Sequence, residues 1–169
     1  MSEVDRLKQA NATFAEGFDE GDLEIPPARP LVVLTCIDAR LDPARSLGLD
    51  LGDAHVIRNA GGRATEDAIR SLLISSWLLG TREFAVIHHT DCGMTKFTDP
   101  VLRDMIRDQG GVEVDMEFLS FADPEQSSRD DVDAIRGTKG FPDGVTVSGH
   151  VYDVRDGRLH DVVAPTPVG

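Results

Sequence analysis

The chain has 169 residues, 40% of them apolar and 28% charged, which suits one well-buried globular domain. Seventeen basic against thirty acidic residues leave a formal charge of −13, which argues against a nucleic-acid partner or an anionic membrane surface. No apolar run approaches the length of a bilayer span, and Met1-Ser2-Glu3-Val4-Asp5 is not a basic-then-apolar leader, so a cytoplasmic protein with no membrane partner is expected.

Residues 2–18 read as an amphipathic helix with Val4, Leu7, Phe14 and Phe18 on one stripe, covering either its own domain or a second subunit. Pro26, Pro27 and Pro30 then forbid helix and lead into the first strand. Leu31-Val32-Val33-Leu34-Thr35 is a short β-branched run of the kind buried on both faces of a parallel sheet. It passes directly into Cys36, Asp38 and Arg40. Ligand sites in open α/β sheets lie beyond the carboxyl ends of strands, so this set marks a candidate site.

Asp42 and Pro43 open a single capped turn, and residues 54–58 form a short strand that ends in Asn59-Ala60-Gly61-Gly62, where the backbone must turn tightly or approach something closely. Thr65 caps a helix to Leu79, in which Ala68, Leu72, Ile74, Ser75 and Leu79 are expected to be buried. Glu83 to His89 is a second buried-strand pattern, and it also ends in chemistry: His89, then Cys92. Strand, helix, strand implies a right-handed crossover and a parallel sheet. A helix over 99–108, irregular chain over 112–128 with a polar helix from about 124 to 136, and a long alternating strand over 145–154 follow. Asp156-Gly157 turns this strand into a partner over 159–163, a solvent-facing edge pair, and Pro165 to Gly169 read as frayed.

With two cysteines and no export signal, metal binding is expected rather than a structural disulfide; a disulfide formed under oxidation would disable the site. If the strands ending at Cys36 and His89 are neighbours, Cys36, His89 and Cys92 converge as two thiolates and one imidazole. That set suits zinc and leaves a tetrahedral ion one position for water, the open form that acidifies water. Asp38 beside it, paired with Arg40 through a bidentate fork, either orients the nucleophile or takes the fourth metal position. His88 alternates with His89 and should point to the opposite face as a packed residue. His55 and His150 are unassigned, and Met94 and Phe97 either line the site or pack the core.

Cys36-x-Asp38-x-Arg40, Arg58-Asn59-Ala60-Gly61 and His89-x-x-Cys92-Gly93, in this order and spacing from about Leu31 to Met94, resemble the compact β-class carbonic anhydrases. The resemblance implies one α/β domain over 1–169, residues 1–24 forming an N-terminal helical arm. Its sheet would have a parallel four-stranded core and an antiparallel edge strand, flanked by helices. It also implies one Zn2+ per chain on Cys36, His89 and Cys92, a catalytic Asp38–Arg40 dyad with Asp38 as conditional fourth ligand, a homodimer or dimer of dimers, and reversible hydration of CO2 to bicarbonate. Two family features are missing. Pro27 stands where plant-type members have a substrate-contacting Gln, and Val33 stands where members with a regulatory bicarbonate pocket have a Trp, although Arg58 matches the arginine of that pocket; Trp77, the one tryptophan, is elsewhere.

Two other functions fit the same residues. Carbonyl sulfide or carbon disulfide hydrolases share this ligand pattern. A non-catalytic zinc- or bicarbonate-binding module would be expected to close its fourth position, and the Asp38–Arg40 pair argues against it. Zinc deaminases require His-x-Glu and Pro-Cys-x-x-Cys, which do not occur.

Overall fold

A computed structural model describes residues 1–169. The strands are β1 (Leu31–Cys36), β2 (His55–Asn59), β3 (Glu83–His89), β4 (Thr146–Tyr152) and β5 (Leu159–Pro167), in the sheet order β2-β1-β3-β4-β5. The first four are mutually parallel and β5 runs antiparallel to β4, as the resemblance implies. The continuous apolar runs take the central positions because both their faces are covered: five of six residues of β1 are buried.

The helices are α1 (Glu3–Ala15), α2 (Pro43–Leu47), α3 (Glu66–Leu78), α4 (Asp99–Gly110) and α5 (Pro124–Gly137). On one face of the sheet, Val32, Leu34, Phe84, Val86 and Val147 pack against Ala68 and Leu72 of α3 and Val132 and Ile135 of α5. On the other face, Val33, Thr35 and Ile87 meet Leu41, Pro43 and Leu47, so that α2 covers the end of β1 next to the site. Thr65 and Asp42 cap α3 and α2 through their side chains, as their positions predict.

Several sequence expectations need correction. Ile74 is 43% exposed, because the buried stripe of α3 runs through Ala68, Leu72, Ser75 and Ser76. The terminal residues are not frayed from Pro165: β5 continues to Pro167, Thr146 pairs with Pro167, and the Val168 amide donates to the Val145 carbonyl. Of the pair expected to form a solvent-facing edge, only β5 is the exposed edge strand; β4 lies between β3 and β5 with Val147, Gly149 and Val151 buried. Nor is α5 polar throughout; it buries Ser127, Ser128, Asp131, Val132 and Ile135. Finally, α1 covers nothing in its own chain: none of its residues is buried, and Val4, Leu7 and Phe14 are all more than half exposed.

Between α4 and α5 the chain is irregular, as its composition predicts, yet residues 118–120 are tightly anchored. The Asp99 carboxylate accepts from the amides of Phe118, Leu119 and Ser120 at 2.7, 3.2 and 3.0 Å and from the Ser120 hydroxyl at 2.6 Å. That hydroxyl and those amides hold its pKa down to about 2. A carboxyl depressed in the folded state stabilises it above the unfolded value and loses that contribution as pH falls through the folded one. The protection of the 118–120 amides against hydrogen exchange, relative to α5, is therefore expected to be full above about pH 4 and to collapse towards pH 2, and Asp99→Asn should lower it already at neutral pH.

Candidate metal centre

The register of the sheet builds the site. Leu31 to Thr35 pair with Glu83 to Ile87, so the polar residues that follow Thr35 and Ile87 emerge side by side at one sheet edge. The Thr35 hydroxyl donates to the Ile87 carbonyl at 2.7 Å and locks the two strand ends together. Cys36, His89 and Cys92 are all buried, and their Sγ and ring-nitrogen atoms lie within 4.8 Å of one another.

This donor set fits zinc. The sulfurs of Cys36 and Cys92 are 3.9 Å apart, against about 3.8 Å for the edge of a tetrahedron with Zn–S bonds of about 2.3 Å. The hydrogen bond between the two sulfurs favours one thiolate, holding the Cys36 thiol down and pushing Cys92 up. His89 Nδ1 lies 2.9 Å from the Thr90 carbonyl, which can only accept, so this nitrogen carries the proton and Nε2 presents a lone pair. That Nε2 is fully enclosed and has no hydrogen-bond partner. A buried imidazole lone pair without a donor is costly as a structural feature and apt as a metal ligand.

Asp38 borders the same point, its Oδ2 lying 3.8 Å from His89 Nε2. Arg40 holds it by a fork, Nε to Oδ1 at 3.0 Å and Nη2 to Oδ2 at 2.8 Å, with the Arg40 amide also donating to Oδ1. These hydrogen bonds keep the carboxyl well below the usual range, so Asp38 is ionised throughout neutral pH. The sequence-predicted set is thus brought together complete. His88 points to the opposite side of the sheet as expected, fully buried with Nε2 3.0 Å from Asp131. His55 is taken up by Ser75 and His150 by Ser148 and Asp161. Met94 is buried in the shell that encloses both cysteines, and Phe97 packs against it.

Asp91 was not found by sequence reasoning, whereas Arg58 and Gly62 stand in stretches that the sequence itself singles out. Arg58, the first residue of the Arg58-Asn59-Ala60-Gly61 motif and the match to the arginine of a regulatory pocket, clamps the strand end: its Nε donates to the Cys36 carbonyl at 2.9 Å and its Nη2 to the Asp38 carbonyl at 2.7 Å. Asp91 holds the far edge of Arg40, its Oδ2 3.0 Å from Nη1, while its backbone carbonyl accepts from Nη2 at 2.9 Å. Lys96 and Arg40 together bring its carboxyl down to about 2. With φ at 71°, Gly62 passes so close to β1 that a Cβ would lie 2.9 Å from the Thr35 carbonyl carbon and 3.0 Å from the Cys36 nitrogen.

The model of the carbonic anhydrase family matches residues 31–118, the segment that carries every residue of this site. β-Carbonic anhydrase 1 of Mycobacterium tuberculosis is 41% identical over 96% of this chain and 99% of its own. A crystal structure of carbonic anhydrase from Streptococcus mutans superposes with a TM-score of 0.92 at 41% identity, covering 96% of this chain and 98% of that one. Carbon disulfide hydrolase of Saccharolobus solfataricus is 36% identical over 80% of this chain and 78% of its own. The chain belongs to the β-carbonic anhydrase family.

Cys36→Ala and His89→Ala are each expected to lose zinc on dialysis against EDTA under conditions in which the wild type retains it, as read by atomic absorption. Gly62→Ala should fold yet retain zinc poorly, because the strain it introduces falls on the Thr35–Cys36 backbone.

Proposed function

We propose that this chain is a zinc-dependent carbonic anhydrase that interconverts carbon dioxide with bicarbonate and a proton, acting in the cytoplasm as a homodimer or dimer of dimers. The observation that carries the reading is a buried two-thiolate, one-imidazole cluster with an ionised carboxylate held beside it but engaged elsewhere. Cys36, His89 and Cys92 would hold the ion. Zinc there supplies acidification of water, so that hydroxide is available near neutral pH.

The chain's own residues do the rest. Arg40 keeps Asp38 ionised and its carboxylate occupied, so that Cys36, His89 and Cys92 alone would hold the ion. Asp38 Oδ2, 3.8 Å from His89 Nε2, is placed to accept a hydrogen bond from a water or hydroxide held at the cluster and so would orient it towards CO2. Arg58 and Asp91 fix the backbone and guanidinium that make this aim reproducible. The proton released by the net reaction leaves to buffer. Release of Asp38 from Arg40 would let the carboxylate reach the metal and close the site.

Residues 1–24 are proposed as an arm that packs on a second copy of a single 1–169 domain. A 13-residue helix is marginal on its own, yet α1 carries a complete Ser2–Asp5 capping box and an exposed stripe of Val4, Leu7 and Phe14, with the exposed Phe18 just beyond its end. An ordered helix with an uncovered apolar stripe needs a partner surface, and its own domain does not provide one.

A second reading, hydrolysis of carbon disulfide or carbonyl sulfide, draws on the relatives named as carbon disulfide hydrolases. Stopped-flow hydration assays on zinc-loaded protein separate the two readings. Rapid CO2 hydration rising from pH 6.5 to 9 is expected; turnover of carbonyl sulfide with none of CO2 would replace the first reading by the second. Asp38→Ala should keep its zinc and lose about a hundredfold or more in turnover, the scale of a positioned proton-accepting group. By light scattering, the intact chain should run at a multiple of its 18.3 kDa mass, and deletion of residues 1–24 should release monomer.

A further inference from the structure

Residues 118–121 run beside the metal cluster in a conformation that this sequence would not choose unaided. Leu119 has a φ of 60°, in the left-handed region that a bulky side chain avoids, so the surroundings must impose it. Asp99 gathers the three amides from one side, as described above. From the other side, Arg63 Nη1 donates to the Leu119 carbonyl at 2.6 Å.

Arg63 is itself fixed by a buried network. Its Nε donates to Asp131 Oδ2 at 2.8 Å, and Asp131, 4% exposed, also accepts from the Ala64 amide at 3.1 Å and interacts with His88 Nε2 at 3.0 Å. Burial of this carboxyl would raise its pKa, but hydrogen bonds from His88 and Arg63 prevail and keep it low. The guanidinium thus uses one edge on α5 and another on the 118–121 segment, a task that one ammonium could not share in the same geometry.

What this arrangement delivers is Phe121. Its ring packs on His88 with centroids 5.3 Å apart, lies 5.6 Å from the Arg63 guanidinium carbon, and joins the apolar shell of Cys36, Cys92 and Met94. The fit is close: a Cβ on Gly61 would stand 3.0 Å from the edge of the ring. CO2 is small, linear and uncharged, so an apolar wall selects it by size, where no directed polar contact can do so strongly.

We propose that Phe121 is a specificity-determining wall of the substrate site and that Arg63 is the positioning residue that holds it there through the Leu119 carbonyl. The proposal rests on the carbonic anhydrase reading above, and it locates the residue whose removal would admit the larger carbon disulfide.

Phe121→Ala and Arg63→Lys in the full-length, zinc-loaded chain test it, with kcat/KM for CO2 and for carbon disulfide, zinc content, and hydrogen exchange of the 118–121 amides as readouts. In Phe121→Ala the ratio of carbon disulfide to CO2 kcat/KM is expected to rise about tenfold or more, the scale of size discrimination in an apolar pocket. Zinc and the α5 amides should stay as in the wild type, and the loss on CO2 should fall on KM rather than kcat. Arg63→Lys should shift the ratio the same way and also speed exchange at Leu119 and Ser120. An unchanged ratio in Phe121→Ala, whatever happens to the overall rate, overturns the wall. A shifted ratio in Phe121→Ala with wild-type ratio and exchange in a folded Arg63→Lys overturns the positioning role. If the wild type does not hydrate CO2, the carbonic anhydrase reading fails by itself, and the wall then stands only if Phe121→Ala raises carbon disulfide turnover.

Discussion

Everything in this molecule that bears on chemistry depends on the in-register parallel pairing of β1 with β3. Thr35 lies opposite Ile87, and the Thr35 hydroxyl closes on the Ile87 carbonyl, so Cys36 leaves its strand beside the segment that presents His89 and Cys92. A slip of one residue would turn each side chain to the other face, exchanging His89 for His88. The pairing is protected against that slip from both sides. Val32, Leu34 and Val86 are committed to the α3–α5 core, and Val33 and Ile87 to the face under α2. The core thus does more than stabilise the fold: it sets which histidine reaches the cysteines.

Electrostatics then decides what the assembled donors do. A carboxylate near two cysteines and a histidine would be drawn to any cation placed among them, and Asp38 is near enough to compete. Arg40 holds it back with a fork whose geometry is itself fixed by Asp91 and by the backbone of the His89–Cys92 loop. Exposed ion pairs are individually weak, and Arg40 and Asp91 are both about half exposed. Their effect here is directional: they settle where a charge points without adding much to stability.

The strand pattern and the site were legible in the sequence for one reason. A parallel strand buried on both faces leaves an apolar run that cannot be mistaken for an amphipathic element, and the polar residues at its end have to belong to something other than the core. Cys36, Asp38, Arg40, His89 and Cys92 all sit in such positions. What was not legible were contacts that join distant segments without any local pattern. Nothing in the spacing of Arg63, Leu119 and Asp131 ties an arginine after a glycine turn to an irregular segment and a helix. The same limitation made α5 look like a polar surface helix: Ser127, Ser128 and Asp131 read as solvent-facing until the network that buries Asp131 is known. The strand over 159–167 continues through Pro165 and Pro167 because an edge strand tolerates proline, which no local pattern announces.

The most direct test of the account is X-ray absorption at the zinc edge of the loaded full-length chain near pH 8. The account predicts a first shell of two sulfurs, one imidazole nitrogen and one light atom that is not from a carboxylate, with the carboxylate appearing in that shell when Arg40 is replaced by Ala. A shell with fewer than two sulfurs, or one that contains the carboxylate while Arg40 is intact, would contradict it.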